Sequence, residues 1–319
     1  MLLDGIIIIV GFFLLIKGAD IFVEGASSIA SNYKVSKVVI GLTIVGFGTN
    51  APELAIAIKS MITNNPDIII GNVFGSNILN TLLILGIGSM ITPLKIKNNT
   101  VTKEIPLALL FSTMLVVLLL DGPINGMEFN QISRSDGVII LLFFAVFIYY
   151  IFVEARKVTR TKDTEAPKYT VKKSIVYVIV GLSLVVFGSN IVVDAASNIA
   201  TYLGVSKKII AMTVVAVGTG MPEIVMTIVS AKKGEHDILI GNLIGSNIFN
   251  ICIAIGLPVV LFGPITTTTF KTIDIFVFIM SSIVLFFFAK EDHKISKLEG
   301  FFLILAFILY WVVLLLTWA

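Results

Sequence analysis

Long apolar runs alternate with short polar clusters along almost the whole chain. Breaks at charged, Gly/Pro and Asn clusters delimit ten candidate spans, residues 4–26, 37–60, 68–91, 104–121, 136–154, 173–200, 207–230, 237–262, 272–290 and 299–317. These approach the roughly 20 residues that a helix needs to cross the hydrocarbon core of a bilayer. The pattern predicts an all-α polytopic membrane protein with ten transmembrane helices. The first run lacks a basic leader and an A-x-A site and continues into a motif that recurs later, so it is expected to be a retained helix rather than a signal peptide. One longer hydrophilic stretch, residues 154–172, contains KVTRTKDTEAP and has no apolar periodicity. It reads as a cytoplasmic linker between a five-helix unit at 1–153 and another at 173–319.

Composition supports the bilayer assignment. The 319 residues are 57% apolar and only 13% charged, about half the charge that wets a soluble domain. Loops after odd-numbered spans carry 17 Lys and Arg, and those after even-numbered spans carry 5. By the positive-inside rule the richer side is cytoplasmic, which puts both termini outside a plasma membrane. The basic residues are dispersed among these loops, so no nucleic-acid partner is expected. One cysteine, Cys252, and two histidines, His236 and His293, make disulfide and zinc chemistry poor candidates. Tyr149, Tyr150, Tyr310 and Trp318, near span ends, are expected to be interface anchors.

Sliding the chain along itself by 170 residues aligns residues 67–80, DIIIGNVFGSNILN, with 237–250, DILIGNLIGSNIFN, at 10 of 14 identities. The same offset aligns TIVGFGTNAPE at 43–53 with TVVAVGTGMPE at 213–223. Apolar low complexity alone would not align Gly, Pro, Asn and Glu. A fixed offset marks a duplicated unit, and an odd number of spans per copy forces the second copy to enter the membrane upside down. The expectation is two inverted five-helix repeats with a site at their interface near the midplane.

Glu53 and Glu223 fall at equivalent positions inside apolar spans, in G-T-x-x-P-E. An acid at a helix centre costs roughly 2.5–3.5 kcal/mol on the lenient insertion scale, so function is the default reading. Pro52 and Pro222 offer no N–H to the carbonyls of Gly48 and Gly218, so helices 2 and 7 should break there. The breaks free carbonyls at Gly46, Gly48 and Thr49 in one copy and at Ala216, Gly218 and Thr219 in the other. Inversion brings both breaks face to face. Two carboxylates with the Thr49 and Thr219 carbonyls approach the six to eight oxygens that Ca2+ takes, whereas Mg2+ needs a tighter octahedron. The second motif adds Ser76, Ser246, Asn80 and Asn250 as candidates for lining the site. Asn72, Asn77, Asn242 and Asn247 divide evenly between that role and interhelical glue.

The paired motifs GTNAPE with GNVFGSNILN and GTGMPE with GNLIGSNIFN resemble the two alpha-repeats of the cation/Ca2+ exchanger superfamily, the prokaryotic sodium/calcium exchangers being most alike. The resemblance covers nearly the whole chain. It implies a Na+/Ca2+ antiporter that extrudes Ca2+ by alternating access, with four adjacent cation sites between spans 2, 3, 7 and 8 and with spans 1 and 6 as a sliding pair. Glu53 and Glu223 then resemble carboxylates shared by Ca2+ and Na+. The Thr49 and Thr219 carbonyls look like Ca2+ ligands. Ser76, Ser246 and the carbonyls of Gly46 and Ala216 look like Na+ ligands. The resemblance also marks departures. Serine usually stands at both positions occupied here by Asn50 and Gly220; Asn50 keeps an amide oxygen to offer, while Gly220 has no side chain. Asn250 stands where K+-dependent relatives carry Asp, which argues against K+ co-transport.

Two glutamates are neutralised by one Ca2+ or two Na+, and mutual exclusion of the two ions at one site is what makes an exchanger. Emptying the site leaves two like charges together, so proton competition at acid pH is expected. The alternative within transport is a H+/Ca2+ antiporter. A channel fits shared, mutually exclusive sites less well, and no catalytic motif supports an enzyme. No resident cofactor is expected, Ca2+ and Na+ being the transported ions, and the protein is expected to work as a monomer.

Overall fold

The computed structural model describes residues 2–120, 122, 124, 126, 130–156, 166–204, 216–267 and 272–318. Eight helices in it are long and apolar enough to cross a membrane, and a bent pair makes a ninth crossing. In chain order these are α1 (Leu2–Tyr33), the pair α2a (Lys37–Thr49) and α2b (Ala51–Ile62), α3 (Ile68–Ile91), α4 (Thr100–Leu119), α5 (Arg134–Arg156) and α6 (Val171–Tyr202). Two short pieces, α7a (Ala216–Thr219) and α7b (Met221–Lys232), precede α8 (His236–Phe262), α9 (Thr272–Asp292) and α10 (Lys297–Trp318). The start of the expected seventh span, 207–215, lies outside the described residues, as do 157–165 of the linker and Lys271.

The proline logic is realised at both breaks. α2a and α2b meet at 44°. Asn50 between them sits at φ −92°, ψ 9°, and Gly220 between α7a and α7b at φ −83°, ψ 0°. This is the bridge region that lets a chain leave one helix and start another. Pro52 and Pro222 occupy the first turn of the restarted helices, where a missing N–H costs nothing. Sequence pattern did not foresee π-helical turns at Gly41–Val45, Leu79–Ile84 and Asn250–Ile255. The last two sit at the ends of the two copies of the Asn-rich motif, and such widened turns often accompany functional sites.

Packing falls into two bodies. The larger core is built by α3, α4, α5, α8, α9 and α10 with parts of α2a and α2b. The smaller one sets Leu15, Phe22 and Val23 of α1 against Val185 and Val192 of α6, with Val225, Met226 and Val229 of α7b alongside. α1 and α6 run antiparallel along a seam of small residues. Gly11 meets Gly188, Gly18 meets Gly181 and Gly25 meets Ser174, with added Cβ atoms falling 2.5–2.9 Å from the facing helix. Small residues allow this approach where no water is present to drive helices together. Two short antiparallel strand pairs tie loops of the two halves, Leu94–Lys95 with Lys294–Ile295 and Asn130–Ile132 with Ile265–Thr267.

Candidate functional site

Glu53 and Glu223 each lie in the first turn after a break, and they are 1% and 2% exposed. Glu53 Oε2 and both carboxylate oxygens of Glu223 have no hydrogen-bond partner. Among the described residues neither has a basic partner, and the charge of Glu223 acts on Glu53. Buried carboxylates with unfilled acceptor positions, and no cation beside them among the described residues, are costly to keep charged. No group of three or more His, Cys, Asp or Glu gathers among the described residues. The other polar atoms near the two acids are neutral oxygens and amides, the kind of group a hard cation takes.

Neutral groups from both halves surround the breaks. Thr49 is buried, and its Oγ1 lies 3.2 Å from the Val45 carbonyl and 3.3 Å from Asn242 Oδ1. Asn50 donates from Nδ2 to Ser246 Oγ at 2.6 Å and also to the Gly46 carbonyl. The expected amide oxygen of Asn50 is thus not what faces these groups; its nitrogen is, because a carbonyl there would repel the Gly46 oxygen. Asn80 donates to Asn247 Oδ1 at 3.0 Å, and Asn250 donates to Asn77 Oδ1 at 3.1 Å. Asn77 donates to the Asn247 carbonyl at 3.1 Å, and Asn247 donates to Thr81 Oγ1 at 3.0 Å. Asn80 and Asn250 therefore brace the opposite half, and Asn250 Oδ1 stays buried without a partner. Asn77 and Asn247 serve as glue, while Asn242 reaches Thr49.

The equivalents differ in exposure. Ser246 is fully buried and Ser76 half-buried; Thr49 is fully buried and Thr219 half-buried. Added Cβ atoms on Gly241 and Gly245 would fall 2.5–3.0 Å from the backbone of α2a at Val38, Gly41 and Leu42. Their equivalents, Gly71 and Gly75, are exposed, with nothing within 4 Å among the described residues. Gly46 faces the backbone of Gly245 and Ser246, and Ala216 begins α7a.

Three features escaped sequence reasoning. Ser189 of α6 donates to the Gly218 carbonyl at 2.9 Å, capping one of the carbonyls that the proline break frees. Tyr150 donates to the buried Glu104, and Tyr310 donates to the buried Asp274 at 2.9 Å. These tyrosines clasp acids as well as standing near span ends. The signal was present, since Glu104 and Asp274 are 170 residues apart. The side chain of Trp318 lies outside the described residues. At one end of the bundle, Lys233 bridges Asp20 at 2.6 Å and Glu24 at 2.9 Å, while Lys37 and Ser27 both reach Glu235 at 2.9 Å. His236 accepts the Lys95 amide at 3.2 Å.

The family model described as sodium/calcium exchanger protein matches residues 4–153 and 173–316. The sodium/calcium exchanger MaX1 of Methanosarcina acetivorans is 30% identical, covering 97% of each chain. The inner membrane protein YrbG of Escherichia coli is 34% identical over 81% of this chain and 80% of its own. Among solved structures, the sodium-calcium exchanger NCX_Mj soaked with Na+ and Sr2+ superposes with a TM-score of 0.84 at 32% identity, covering 97% of each chain.

Proposed function

Because the chain belongs to the sodium/calcium exchanger protein family, we propose that it extrudes Ca2+ across the plasma membrane in exchange for Na+, by alternating access to a site centred on Glu53 and Glu223. The observation that carries this reading is the pair of buried carboxylates, with unfilled acceptor positions and no basic partner among the described residues, set at equivalent helix breaks in the two halves. One Ca2+ or two Na+ balances their charge, so the ions compete for one volume. The Thr49 and Thr219 carbonyls complete the Ca2+ shell, and Ser76 with the Ala216 carbonyl serves Na+.

Inverted five-helix halves are supported by the cross-contacts. Under the 170-residue offset, the contact of Gly11 with Gly188 maps onto that of Gly181 with Gly18, and the Asn80 to Asn247 bond maps onto Asn250 to Asn77. Antiparallel α1 and α6 fit the same relation. Alternating access is supported by the unequal exposure of the two copies. Close packing of α8 on α2a seals one approach, while on the other Gly71 and Gly75 meet nothing within 4 Å among the described residues and Ser76 is half-buried. With both termini outside, the open approach faces the extracellular medium and the Lys233 ion pairs hold the cytoplasmic side shut.

The test is 45Ca2+ uptake into vesicles carrying the purified protein and loaded with Na+. Uptake that requires the outward Na+ gradient is expected. Uptake that follows a pH gradient and ignores Na+ selects the proton-driven antiporter, currents far above carrier turnover select a channel, and no uptake under either gradient refutes the assignment.

A further inference from the structure

Within the G-T-x-x-P-E motif the two copies differ in polar side chain at one aligned position, Asn50 against Gly220. Asn50 is the residue from which α2b starts, yet its side chain does not cap that helix. It turns back, and its Nδ2 sits between the Gly46 carbonyl and Ser246 Oγ, 2.6 Å from the latter. An amide nitrogen has two protons, and these two oxygens take both. The reverse orientation would press the amide oxygen against the Gly46 carbonyl, two acceptors with no proton between them. While the nitrogen holds both oxygens, neither is free to bind an ion. Asn50 and Ser246 are both buried, and the backbone of α8 presses on Gly46 from beside them. The matching place in the other copy has the buried Gly220 beside the half-buried Ser76, so residue 220 itself supplies no side chain there.

Resting on the exchanger reading above, we propose that the Asn50 amide takes the place of one Na+ in the pocket formed by Gly46 and Ser246, so that this protein exchanges two Na+ for each Ca2+ without moving net charge. One monovalent pocket is plugged from within, and its counterpart has no side chain at residue 220 to plug it. Glu53 and Glu223 supply two negative charges, which two Na+ neutralise as completely as one Ca2+ does. A third Na+ would have to expel the amide from both of its partners and would leave an unbalanced charge at the buried site, where lost solvation makes it unfavourable.

The experiment measures the Ca2+ gradient at which uptake stops, in vesicles of the full-length protein with a fixed Na+ gradient and a potential set by K+ and valinomycin. If one net charge moves per cycle, a change of about 100 mV alters that limiting gradient roughly 50-fold; if none moves, the gradient stays put. The wild type is expected to be insensitive to potential. Asn50→Ser, which opens the pocket and supplies a hydroxyl, is expected to show the roughly 50-fold dependence. A potential-dependent wild type overturns the proposal and leaves Na+/Ca2+ exchange standing. Wild-type accumulation that ignores Na+ overturns the exchange reading, and this inference with it. An active Asn50→Ser variant that remains insensitive removes Asn50 as the cause. Should that variant fail to fold, the wild-type measurement decides alone.

Discussion

Substituting Gly181 by Ala puts a methyl group into the seam between α1 and α6. An added Cβ at Gly181 would stand 2.6 Å from the Phe22 nitrogen and 2.7 Å from both the Gly18 oxygen and Phe22 Cβ. Ordinary contact begins at 3.4 Å, and two of these three atoms are backbone, which has no rotamer to change. The helices must therefore retreat by about 0.7 Å, an overpacking cost of roughly 1–3 kcal/mol. Alanine also raises helix propensity by about 1 kcal/mol, which would mask part of that loss. Gly5→Ala separates the two effects, since Gly5 lies on the same helix pair with nothing within 4 Å. Thermal unfolding in detergent should place Gly181→Ala below Gly5→Ala by the seam cost alone, and vesicle uptake by Gly181→Ala should fall because the pair no longer packs at its native distance. Equal melting of the two variants with equal uptake would refute the claim that close approach along this seam matters.

Glu53→Gln and Glu223→Gln each remove one of two charges from a buried site; at an effective dielectric of about 20 a charge pair about 4 Å apart is worth about 4 kcal/mol, so Ca2+ uptake should drop roughly 10³-fold. Retained uptake in either would contradict the site. Lys233→Met removes two partly exposed ion pairs worth about 0.2–1 kcal/mol each, and a cysteine placed at Val229 in a Cys252→Ala background should label up to about 30-fold faster from the Lys233 side. An unchanged rate would show that these pairs do not hold that face shut. Burial opposes the Lys233 charge, but hydrogen bonds to Asp20 and Glu24 outweigh it and hold its pKa above the ordinary lysine value. The stabilisation is therefore complete below the unfolded lysine pKa of about 10.4 and lost only as pH rises through the higher folded value, so labelling should be flat from neutral pH into the alkaline range.

The described apolar spans, both breaks and two carboxylates beside those breaks were legible because each follows from local chemistry: apolar length, a proline without its N–H, and a carboxylate in an apolar run. The orientation of Asn50 was not, because it depends on Ser246, 196 residues away, and on which end of an amide meets an acceptor. Likewise Tyr150 looks like any interfacial tyrosine until Glu104 is found beneath it. The cap that Ser189 places on Gly218 has no counterpart in the first copy, where Ala19 aligns with Ser189, so the repeat could not announce it.

Ser112 and Ser282 are 170 residues apart, and their hydroxyls approach to 3.5 Å; Asn77 and Asn247 share that separation and also touch. In the inverted arrangement proposed here, a residue that meets its own twin lies on the line about which the halves are exchanged. Such positions present the same surroundings to either face of the bilayer. Changes at Ser112 or Asn77 should thus speed or slow turnover equally in both directions, whereas only positions off that line, such as Lys233, give the machine a preferred pose.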